Sequence, residues 1–139
     1  MSNLIPPHGG KGLTCCLLEG AELAAEKKKA EGLKKISISP REKGDLIMMG
    51  IGGFSPLTGF MTRADWKGVC ENFLLADGTF WPIPVTLSAS AEDANAIKEG
   101  DEITLFDPKD NEIMATMKVS EKFAMSEADK KFECEKVYM

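Results

Sequence analysis

Glu102-Ile103-Thr104-Leu105-Phe106, then Asp107-Pro108-Lys109-Asp110-Asn111, then Ile113-Met114-Ala115-Thr116-Met117-Lys118-Val119 is the stretch that decides the fold class. Two runs rich in β-formers flank a connection made of turn-formers, which predicts an antiparallel hairpin. Coming late in a chain whose other signals are largely helical, that hairpin predicts an α+β fold with a small curled sheet or partial barrel. It speaks against a doubly wound parallel sheet.

Working outward, four places repeat a hydroxyl residue followed three positions later by an acid, the signature of a helix N-terminus. Ser39-Pro40-Arg41-Glu42 opens a helix to about Met49, with Pro40 at the first helical position and Gly50 at its end. Thr62-Arg63-Ala64-Asp65 opens a second, in which Trp66, Val69, Cys70 and Phe73 fall on one face and are predicted core. Ser90-Ala91-Glu92-Asp93 starts a third, closed by a left-handed Gly100, and Ser126-Glu127-Ala128-Asp129 a fourth. Between Gly20 and Gly32 a run of strong helix formers carries Lys27, Lys28 and Lys29 on a solvated face. Lys34 to Ser39 alternates as a strand. Phe80 to Leu87 is a further strand that Pro82 and Pro84 push to a sheet edge, and Asp77-Gly78 marks a tight turn. Residues 1–19 read as an extended arm, because Pro6-Pro7 and Gly9-Gly10 disfavour regular structure.

The 139 residues suit one domain, 1–139, with 43% hydrophobic and 28% charged side chains near globular averages. A net charge of -5 speaks against phosphate backbones, and so against nucleic acid, as the main partner. No uncharged apolar run reaches the ~18 residues of a membrane span, and Met1-Ser2-Asn3 opens no secretory leader, so the expected location is cytoplasmic. Cys15, Cys16, Cys70 and Cys134 have no C-x-x-C spacing and are expected to be reduced, mostly buried thiols.

The sequence offers several candidates for chemistry and weakens each. Gly50-Ile51-Gly52-Gly53-Phe54-Ser55-Pro56-Leu57-Thr58-Gly59-Phe60 is a possible phosphate cradle, but Ser55 stands where a dinucleotide fingerprint needs glycine, and Gly59 is followed by Phe60-Met61 where a Walker loop needs Lys then Ser/Thr. Turns with Phe54, Leu57 and Phe60 packed inward are the plainer reading. Ser55 is no nucleophile elbow, since Leu57 replaces the second glycine. His8 is a lone histidine without partners. Asp101-Glu102 and Asp107 with Asp110 sit in loops, where nothing predicts a pKa shift. No catalytic, cofactor-binding or metal-ligating residue is assigned.

Ser39-Pro40-Arg41-Glu42, Asp45-Leu46 and Gly50 to Met61 together resemble the N-terminal domain of ATP sulfurylases (sulfate adenylyltransferases). Pro7-His8-Gly9-Gly10, Leu75-Ala76-Asp77-Gly78-Thr79-Phe80-Trp81-Pro82-Ile83-Pro84-Val85-Thr86-Leu87 and Gly100 to Pro108 agree in order. The Lys-rich helix and Cys15-Cys16 look most like the enzymes of sulfate-reducing bacteria. The resemblance implies a PUA-like fold, a small β-barrel decorated with helices. It also implies a parent enzyme that takes Mg-ATP and sulfate to adenosine 5′-phosphosulfate and pyrophosphate. The family's catalytic residues belong to a downstream nucleotidyltransferase domain with a Q-x-R-N segment and an H-x-x-H pair. This chain has no Gln and one His, so that domain is absent from it, no cofactor is expected in it, and alone it should be inactive. Expected partners are the downstream catalytic domain and, as a full enzyme, further copies in a homo-oligomer. The alternative is a stand-alone PUA-like RNA-binding or adaptor module.

Overall fold

The computed structural model describes residues 4–138; Met1-Ser2-Asn3 of the expected arm, and Met139, lie outside the described residues. The elements are α1 (Gly20–Glu31), β1 (Lys34–Ser37), α2 (Pro40–Gly50), α3 (Arg63–Asn72), α4 (Ala91–Ala96), β2 (Glu102–Asp107), β3 (Glu112–Lys118) and α5 (Glu127–Glu133), which runs into a π-helical turn, Cys134–Tyr138. They fall into two compact units. One comprises the chain up to Gly59 with Glu102–Lys118, the other Phe60–Asp101 with the chain from Val119 onward.

The first unit holds a three-stranded mixed sheet in the order β1-β2-β3. β1 runs parallel to β2, with Ile36 beside Leu105. β2 and β3 form the expected antiparallel hairpin, with a register shift between Leu105 and Phe106 and Asn111 at φ 53° in its loop. Ile103, Thr104 and Leu105 are consecutively buried, as a central strand covered on both faces requires. On one face Thr104 and Thr116, partners across the hairpin, both donate to α1: Thr104 Oγ1 to Ala30 O at 2.7 Å and Thr116 Oγ1 to Glu26 Oε1 at 2.6 Å. Ser39 caps α2 with a full capping box; its N–H donates to Glu42 Oε2 at 2.7 Å while Glu42 N–H donates to Ser39 Oγ at 3.3 Å. Mixed helices and an open sheet thus meet the α+β expectation. The sheet is not closed, so the expected small barrel is not what the described residues display.

In the second unit Trp66, Val69 and Cys70 of α3 are buried beside Leu75, Trp81 and Val85. Three expectations are corrected here. Phe73, predicted core, lies 41% exposed because α3 ends one residue earlier and Phe73 takes the left-handed cap conformation, φ 57°. Phe80 to Leu87 forms no strand: Pro82 and Pro84 carry no N–H for a ladder, and pairing is confined to a Leu74–Phe80 bridge and single bonds such as Met61 N–H to Val85 O at 2.8 Å. Helix α4 stops at Ala96, with Ile97 extended. Lys122 Nζ lies 2.6 Å from Ala94 O, a carbonyl of the helix, and 2.6 Å from Ile97 O just past its end. Gly100 does adopt φ 94°, but for the turn in which its N–H reaches Val119 O at 2.7 Å.

Candidate functional site

The glycine-rich loop after α2 and the N-terminal arm come together in the first unit. The arm crosses the carboxyl end of α2, where Cys16 N–H donates to Met49 O and Leu17 N–H to Gly50 O, each at 3.2 Å. Helix termini leave carbonyls needing donors, and the arm supplies two. Ser55, buried, donates its hydroxyl to Gly52 O at 2.6 Å and accepts Thr14 N–H at 2.9 Å. The glycines allow close approach: a Cβ at Gly52, whose φ is 79°, would stand 2.8 Å from Cys15 Sγ, and one at Gly9 would stand 3.1 Å from Pro56 Cγ. Two segments that sequence reading kept apart, Pro7-His8-Gly9-Gly10 and Gly52 to Pro56, are therefore neighbours.

This geometry binds the chain to itself. The N–H groups of Gly52, Phe54, Ser55 and Leu57 donate to Met49, Met48, Gly52 and Phe54 carbonyls, so these four donors are engaged within the loop and the end of α2. The loop also follows a helix C-terminus, whose dipole end is negative. Leu57 is buried, with Phe54 and Phe60 half-buried, in accord with the inward-packed turns read from sequence. His8 is exposed.

The acidic candidates all have structural partners. Asp107 Oδ2 lies 2.6 Å from Lys43 Nζ, which also pairs with Asp110. The hydrogen bond from Lys43 holds the Asp107 carboxyl below its ordinary range, and the two aspartates raise the Lys43 ammonium above its own. Asp101 Oδ2 accepts Lys98 N–H at 2.8 Å, and Glu102 pairs with Lys29 at 3.2 Å. Burial raises Asp45, a carboxylate that also accepts from Arg41 at 3.2 Å.

In the second unit Trp66 Nε1 donates to Glu133 Oε2 at 2.6 Å, and Arg63 Nη2 lies 3.0 Å from Asp129 Oδ1. The Arg63 guanidinium stands over the rings of Trp66 and Phe123, at 5.6 and 5.7 Å. These contacts fasten α5 to α3. Neither they nor the Lys43 cluster was read from sequence, because the partners are about 60 positions apart.

The four cysteines are free thiols, as expected, but the expectation that most are buried is overturned. Cys15, Cys16 and Cys134 are exposed and Cys70 alone is buried. The arm fastens to the fold through the backbone N–H groups of Thr14, Cys16 and Leu17, and Cys134 sits on the terminal π-helical turn. Burial pushes the Cys70 thiol up to about 11, so it is protonated at neutral pH. Among the described residues no group of three or more His, Cys, Asp or Glu stands together as metal ligands, and no helix is long and apolar enough to cross a membrane.

A small mixed sheet with capped helices defines a structural class. Residues 5–139 match the family of the PUA-like domain, and the chain belongs to that family. It is 79% identical over 139 residues to a sulfate adenylyltransferase of Desulfatibacillum aliphaticivorans, covering all of this chain and 33% of that protein. It is 66% identical over 138 residues to that of Desulfovibrio desulfuricans, covering 99% of this chain and 32% of that protein. The chain therefore spans about a third of the length of the curated relatives it matches. Among solved structures it resembles a hexameric APS kinase from Thiobacillus denitrificans, with a TM-score of 0.77 and 31% identity over 89% of this chain and 24% of that one.

Proposed function

We propose that this chain is the N-terminal part of an ATP sulfurylase, the enzyme that joins a sulfate oxygen to the α-phosphorus of Mg-ATP and releases pyrophosphate, and that the chain is a non-catalytic module of it. The observation that carries this reading is the 79% identity, along the whole chain, to a sulfate adenylyltransferase about three times as long. The local chemistry supports the non-catalytic half. Stabilising the charge that develops in such a transfer needs cations and donors aimed at the phosphate, whereas here the amides of Gly52, Phe54, Ser55 and Leu57, the Ser55 hydroxyl and Lys43 are engaged within the fold.

On this reading no residue of the chain is catalytic, and ATP and sulfate are bound by the remainder of a longer polypeptide. The chain acts as one domain whose sheet is part of a barrel-like core, the enzyme works in the cytoplasm, and it assembles as a homo-oligomer. The solved neighbour, a hexameric APS kinase, supports the last point.

The test is molybdate-dependent release of pyrophosphate from ATP. The longer polypeptide should show it and the purified 139-residue chain should not. Turnover by the short chain would overturn the non-catalytic assignment, and inactivity of the longer one would overturn the enzyme assignment.

A further inference from the structure

We propose that Phe73, Leu74 and Phe80 form an apolar docking knob on the second unit, received by a basic-rimmed apolar groove in the part of the longer polypeptide outside this chain. The inference rests on the reading under Proposed function.

Phe73 sits in the left-handed region, φ 57° and ψ 36°, where a side chain bearing Cβ is disfavoured and glycine is the ordinary occupant of a helix end. A phenyl ring held there, and left 41% exposed, gives up local stability without burying its ring fully in return. Strain of this kind persists where the surrounding structure enforces it, and it points to use. The enforcement is visible. Leu74 N–H donates to Gly68 O and Phe73 N–H to Val69 O, Leu75 N–H donates to Thr79 O, and Trp81 N–H to Phe73 O at 2.7 Å. Asp65 Oδ1 accepts Ala76 N–H at 2.9 Å. Gly68 is required at its position, since a Cβ there would stand 2.5 Å from Leu74 O.

The hairpin so fixed turns Leu75 and Trp81 inward, and leaves Leu74 and its bridge partner Phe80 38% and 55% exposed. A rigid cluster of exposed apolar side chains marks an interaction surface. Two observations choose the occupant. The unit carries seven basic and twelve acidic side chains, so a second copy of the same face would repel it, and a basic rim would complement it. The curated relatives are about three times the length of this chain, and that additional polypeptide is the surface available to every copy.

The experiment is hydroxyl-radical footprinting of the longer polypeptide, wild type and Leu74→Asp, beside the 139-residue chain. In the wild-type longer polypeptide Phe73 and Phe80 should oxidise several-fold more slowly than in the short chain. Leu74→Asp should restore their oxidation while Trp66 and Val69 stay protected. Should Leu74→Asp unfold the unit, seen as oxidation of Trp66, Phe73→Asn supplies the second variant, because Asn tolerates the left-handed region; Leu74 and Phe80 are then read. Equal oxidation of the knob in the longer polypeptide and the short chain, or no response to a folded variant, overturns the proposal. An intact mass of 15.1 kDa for the polypeptide in its source would instead overturn the reading on which it rests.

Discussion

Ser55 uses one hydroxyl for two tasks, a local one, donating to Gly52 O, and a long-range one, accepting from Thr14. Ser55→Ala would remove the acceptor of the arm's Thr14 N–H, while Gly52 O keeps the Ser55 N–H, a loss of about 1–3 kcal/mol for a buried donor left unsatisfied. Urea unfolding should show a lower midpoint with an unchanged slope. The four cysteines make a second prediction at this scale. Cys15, Cys16 and Cys134 should be modified by a thiol reagent in the native protein, whereas Cys70, buried and with its thiol raised to about 11, should react only after denaturation. Counting modified thiols by mass spectrometry checks it; rapid loss of all four in native buffer would contradict it.

At the scale of elements, the capping boxes are the most direct translation of sequence into structure. Ser39→Ala should cost about 0.5–2 kcal/mol, near the top of that range because the hydroxyl also donates to Glu42 Oε2 at 2.8 Å and Glu42 is 1% exposed. A Tm series that includes Ser126→Ala, whose box is exposed, should rank that variant milder. Four helix starts and the hairpin were legible because their determinants lie within a few residues. Phe80 to Leu87 was misread because its apolar content reports burial, while a strand needs a neighbour offering a ladder, and two prolines refuse one. The end of α4 was misread because the Lys122 ammonium that meets Ala94 O and Ile97 O comes from 25 to 28 residues away. The arm that fills the glycine loop was invisible, since Thr14 and Ser55 are 41 positions apart. Cysteine exposure was misjudged because a general preference for burial says nothing about which chain segments lie outside the core.

For the whole molecule, charge and pH give two further expectations. Glu26, Asp107 and Asp129 are held below their ordinary values by hydrogen bonds from Lys29, Lys43 and Ser126 respectively. Their contribution is full above the unfolded carboxylate range and lost as pH falls through the lowered folded values. Lys43, raised, contributes below its unfolded value of 10.5 and loses that contribution as pH rises past its folded value. Stability followed by circular dichroism should therefore hold level near neutrality and fall below about pH 4, with raised Asp45 offsetting a little of the fall. An RNA mobility-shift assay at low salt should show no binding, as the excess of acidic groups requires; a salt-sensitive shift would favour the RNA-binding alternative. One topological fact has a consequence for synthesis. β1 and β2 are hydrogen-bonded neighbours, yet the intervening chain runs through α3 and α4, and the second unit then needs residues that follow β3. Each unit is interrupted by the other along the chain, so no single cut releases either whole. On the ribosome β1 waits for β2 and α3 waits for α5. Unpaired edges therefore persist until the residues after β3 have emerged, and in that interval a nascent chain of this design is open to misassociation.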